Sequence, residues 1–187
     1  AKRITVSGDT PLNPCEMHPT PQHVLDASPD MEPVRAKMDE VYGVIMNFLT
    51  SRDIDLEMHS GLITFLIQTI FERSAIDPDD PSTHTPANSP TMQDLLDLID
   101  EIQEDPGVFP AAETESSKQK IRKYADELSV ALQPFRAGST YGNLAEESNL
   151  NLIDNDSKAV YLDLQQVEGS GDGLGKQSFI MQLLLST

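Results

Sequence analysis

The chain has 187 residues, 31 of them acidic and 13 basic, giving a formal net charge of −18. A surface of that sign repels phosphate backbones and anionic lipid headgroups, so direct nucleic-acid or membrane binding is not expected. Hydrophobic residues reach 38% and aromatic ones only 5%, which predicts one compact domain with a core of Leu, Ile, Val and Met.

The acidity itself reads first as solubility. Cys15 is the single cysteine, which leaves no internal disulfide and fits a reducing, cytoplasmic compartment. The run from Leu62 to Phe71 is broken by Thr64, Gln68 and Thr69 and is about half the length needed to cross a bilayer. The chain opens at Ala1 directly into a strand-like run and stops at Thr187 inside a helical pattern. It reads as a piece of something longer.

In chain order, Ile4 and Val6 alternate with polar neighbours as in a short strand, and Ser7-Gly8-Asp9 is a turn signal. The proline-rich stretch to Pro33 is expected to be irregular or extended. A first helix is predicted over Pro33 to Thr50, where Val34, Met38, Val41, Tyr42, Ile45, Phe48 and Leu49 share one stripe. Pro33 suits its first turn. A second runs from Asp55 to Ser74, apolar on most sides, and is expected to be the central, well-buried helix.

Ile76 to Ser89, rich in Asp, Pro, Ser and Thr, is predicted to be a mobile loop. Thr91 with Asp94 forms a short capping box for a third helix, whose Leu95, Leu96, Ile99 and Ile102 face inward and which Pro106-Gly107 stops. A fourth helix is predicted from Ser117 to Gln133, ended by Pro134 and Gly138. Leu150 to Leu152 and Ala159 to Leu164 read as short strands. A glycine-rich loop, Gly169 to Gly175, then precedes a last helical run carrying Phe179, Ile180, Leu183 and Leu184. The fold class is mainly α with a few short strands (α/β), a helical block beside the edge of a small sheet. Within one domain over 1–187, residues 1–14 form a strand and turn, 33–136 the helical block, and 150–187 strands and the last helix.

No motif carries chemistry. A phosphate loop needs a glycine five residues before its Gly-Lys pair and a hydroxyl after it, where Gly175-Lys176 has Ser170 and Gln177. His18, His23, His59 and His84 lack partners at metal-ligand spacing; His59, near Asp55 and Glu57, reads as part of a solvated helix start. The acidic runs Asp77 to Pro81 and Asp97 to Asp105 lack the glycine of a calcium loop. In the second, Asp97, Asp100, Glu101 and Glu104 are expected on an exposed helix face. No catalytic, cofactor-binding or metal-ligating residue is assigned.

The order of segments is more informative than any of them. The early strand with Leu12-Asn13-Pro14, the helix pair Tyr42 to Leu49 and Leu62 to Arg73, the helix start Pro90-Thr91-Met92-Gln93-Asp94-Leu95, and Leu132-Gln133-Pro134-Phe135-Arg136-Ala137-Gly138 with Tyr141 and Gly142 precede a strand ending in Asp163-Leu164. This resembles the largely helical middle of the P-loop ATPases that power type IV secretion and conjugative DNA transfer. In that family the phosphate loop lies N-terminal to this region and the strand of catalytic acids C-terminal to it. The resemblance therefore implies a non-catalytic helical subdomain, inactive alone, whose parent uses ATP and Mg. The parent is implied to form a ring at the cytoplasmic face of a membrane, with the rest of its own chain and secretion-channel proteins as partners. The alternative is a stand-alone acidic helical module that binds a basic partner. The first reading requires the first and last strands to approach one another. Apolar residues near Phe179 are expected to drive some self-association.

Overall fold

The computed structural model describes residues 2–7, 10–28, 30–50, 59–148, 160–166 and 181. Two strands, β1 (Lys2–Ser7) and β2 (Val160–Gln166), pair in parallel, with Lys2 opposite Val160 and Thr5 opposite Asp163. The register shifts between Thr5 and Ser7. The first and last strands thus meet, and the helical block between them is their crossover, as parallel pairing demands. The expected strand at Leu150 to Leu152, the loop Gly169 to Gly175 and the apolar residues near Phe179 lie outside the described residues.

Helix α1 (Gln22–Ala27) sits inside the stretch expected to be irregular. Pro21 precedes it at φ −57°, so the proline that discouraged a helix instead fixes its entry angle. Helix α2 spans Pro33–Thr50, as its stripe predicts, and buries Val34, Val41, Val44, Ile45, Phe48 and Leu49. Helix α3 (Ser60–Arg73) begins later than the expected Asp55, and residues 51–58 fall outside the described part.

Helix α3 is well buried, with Leu62, Ile63, Leu66, Ile67, Ile70 and Phe71 almost inaccessible, and α4 (Met92–Glu104) is buried as deeply. Met92, Leu95, Leu96, Leu98, Ile99 and Ile102 of α4 are all essentially inaccessible, and each helix leaves one face open to solvent, at Gly61, Thr64 and Gln68 of α3 and at Asp94, Asp97 and Glu101 of α4. Consecutive helices pack as neighbours, α2 on α3, α3 on α4, and α4 on α5 (Glu115–Ala131). Helix α5 starts ahead of the expected Ser117 because Thr114 caps it, with the Ser117 hydroxyl returning the bond. A serine at that position completes the box as Asp94 does for Thr91.

Beyond α5 the chain folds back on itself. Phe135, fully buried, lies edge-on to Phe48 of α2 at 4.6 Å and stacks on Tyr141 at 5.6 Å. Gly138 takes φ +78°, which side chains resist, and a Cβ on Gly142 would sit 2.8 Å from the Arg136 carbonyl oxygen. The tight return is closed by the Tyr141 amide donating to the Pro134 carbonyl at 2.8 Å. Phe135→Ala should lower unfolding free energy by about 3–5 kcal/mol in urea titrations. Val130→Ala, at a position 77% exposed, should change it by no more than about 0.5 kcal/mol.

Candidate functional site

The turn after β1 is the point where distant parts of the chain converge. The Asn13 side-chain amide donates to the Pro90 carbonyl at 2.8 Å, in a buried contact, and its backbone amide donates to Ser148 Oγ at 2.7 Å. Its Oδ1 meanwhile accepts from the Cys15 amide at 3.0 Å. One residue therefore bridges the turn to the start of α4 and to the segment after Leu144. Leu12 donates its amide to the Asn143 carbonyl at 3.2 Å, and Asn143 Nδ2 donates back to the Thr10 carbonyl at 2.7 Å. Ser89 Oγ accepts from the Met17 amide at 2.8 Å, and the Gln93 amide reaches the Ala145 carbonyl at 3.3 Å.

Leu12-Asn13-Pro14, Pro90-Thr91 and the glycine-bearing return at Gly138 to Leu144 are thus one assembly. The sequence pointed to each as a motif and to none as a contact of the others. Glu16, which was not singled out, is buried in this turn, and its carboxylate lies 3.1 Å from His18 Nε2. The spacing of an acid and an imidazole two residues apart is the local signal of that pair.

Cys15 is fully buried beside Asn13, and burial pushes its thiol up to about 12, with Asp94 and Glu40 adding to the rise and Lys37 opposing it. A thiol held protonated is no nucleophile. The buried polar side chains among the described residues are Asn13, Glu16, His59 and His84.

The other residues weighed from sequence take structural places. His59 is not part of a solvated start: it is buried, with Nε2 2.7 Å from Glu127 Oε2 on α5. The stretch Ile76 to Ser89, expected to be a loop, is largely exposed and contains two short 3-10 turns, Pro81–Thr83 and Pro86–Asn88. His84, fully buried, holds it through Nε2 at 2.9 Å from the Asp77 carbonyl oxygen. Asp80 bonds the Ser82 hydroxyl and amide, which hold its carboxyl below the usual range. His23 is exposed.

The acidic run on α4 is partly paired rather than simply solvated. Asp100 takes both Nη groups of Arg136, and Glu101 takes both of Arg73. The hydrogen bond from Arg73 keeps the Glu101 carboxyl below its ordinary range, and both guanidiniums are held more firmly protonated. No group of three or more His, Cys, Asp or Glu side chains among the described residues is disposed to hold a metal ion. The described helices include none long and apolar enough to cross a membrane. The glycine-rich loop at Gly169 lies outside the described residues.

No protein-family profile and no curated protein matches the sequence. Among solved structures, VirB4 of Thermoanaerobacter pseudethanolicus superposes with a TM-score of 0.63 at 15% identity. The match covers 98% of this chain and 43% of that one. The chain shares the fold of that part of VirB4. It spans less than half the length of VirB4.

Asn13→Ala should cost about 1–3 kcal/mol in urea unfolding, because the buried Pro90 carbonyl loses its donor. Asn13→Asp should cost more, since a carboxylate would face that carbonyl, and rescue by acidification would distinguish charge from geometry. The Cys15 thiol is raised in the folded state, so its contribution is complete below its ordinary value of 9.0 and is lost as pH climbs towards about 12. The stability lost between pH 8 and pH 10.5, measured by urea unfolding, should therefore be larger for the native chain than for Cys15→Ala.

Proposed function

We propose that this chain is the helical, non-catalytic subdomain of a P-loop ATPase that drives type IV secretion or conjugative transfer. The observation that carries the reading is the fold shared with VirB4 across 98% of the chain, alongside the motif order read in the sequence. The parallel pair β1–β2 adds support. Two parallel strands make a poor sheet alone, because such strands are normally flanked and covered on both faces. The rest of the parent chain would supply that cover.

In this reading ATP and Mg belong to the parent, and no residue of this chain is given a part in hydrolysis. What the chain supplies is a lever. A displacement of β1 passes through Thr10 to Met17 into two places at once, the start of α4 and the return at Asn143. A block held at two points moves as a unit, so a small shift at the sheet becomes a larger one at the far helices. Partners follow from the parent: the remainder of the ATPase, further copies in a ring, and channel proteins at the cytoplasmic face of a membrane. The alternative, a self-sufficient acidic adaptor, draws on the continuous core that α2 to α5 bury among themselves.

The reading is tested in the full coding frame. A phosphate loop should lie upstream and an Asp-Glu strand downstream, and Asn13→Ala in that longer protein should retain ATP binding while losing transport. A frame confined to these residues, or a longer protein indifferent to nucleotide, would defeat it.

A further inference from the structure

We draw no further inference here: the strongest candidate, the groove along the seam of α2 and α3 that half-buried Met38, Tyr42, Phe65 and Phe109 line, is an apolar face, and nothing in the structure shows what covers it.

Discussion

The carbonyl of Pro90 stands just ahead of α4, in a buried position, and no helical amide is available to it. A buried acceptor must find a donor or cost the fold the full loss of its hydration. The donor is the side chain of Asn13, which arrives from 77 residues away. Much else follows from that one contact. To reach Pro90, the turn after β1 must lie against the start of α4. Once there, its own amides need acceptors, which Ser148 and Ser89 supply through their hydroxyls. The joint is polar and largely built of hydrogen bonds, and so it fixes direction more than it adds energy.

The energy comes from the helices. Met92, Leu95, Leu96, Leu98, Ile99 and Ile102 give α4 an apolar face broad enough to meet α3 on one side and α5 on the other. The aromatic trio Phe48, Phe135 and Tyr141 then ties the return after α5 to α2. That return carries Asn143 back to the turn after β1. Core and joint are thus mutually dependent: the core brings Asn143 and Pro90 together, and the joint sets where β1 leaves the block.

How much of this could be read in the sequence differs by kind of contact. Local signals served well where one residue dictated the outcome. Pro33 and the stripe behind it placed α2 at its observed bounds, and Thr91 with Asp94 placed the start of α4. They served poorly where a side chain's meaning came from elsewhere in the fold. Ile76 to Ser89 has loop composition, yet it carries two 3-10 turns and a fully buried His84 set against the Asp77 carbonyl oxygen. His59 looked solvated because its partner, Glu127, lies 68 residues on. The candidate site was legible as a sequence of motifs and illegible as a place. Nothing local to Asn13 names Pro90, Asn143 or Ser148 as its neighbours.

The excess of acid has a physical counterpart in where arginine is spent. Arg73 and Arg136 flank α4 and engage adjacent residues on it, Glu101 and Asp100, from α3 and from the return after α5. Exposed pairs of this kind contribute little stability, but they remove two carboxylates from a helix face that would otherwise repel itself. Asp94 is withdrawn by its cap. Asp97 is exposed, takes a bond from Gln93 Nε2, and its charge helps hold the Arg136 guanidinium protonated. A chain of charge −18 therefore presents along α4 not a uniform row of repelling acids but one in which two guanidiniums and a helix cap engage three of the carboxylates, so that the excess charge is partly offset where the helix packs closest to its neighbours.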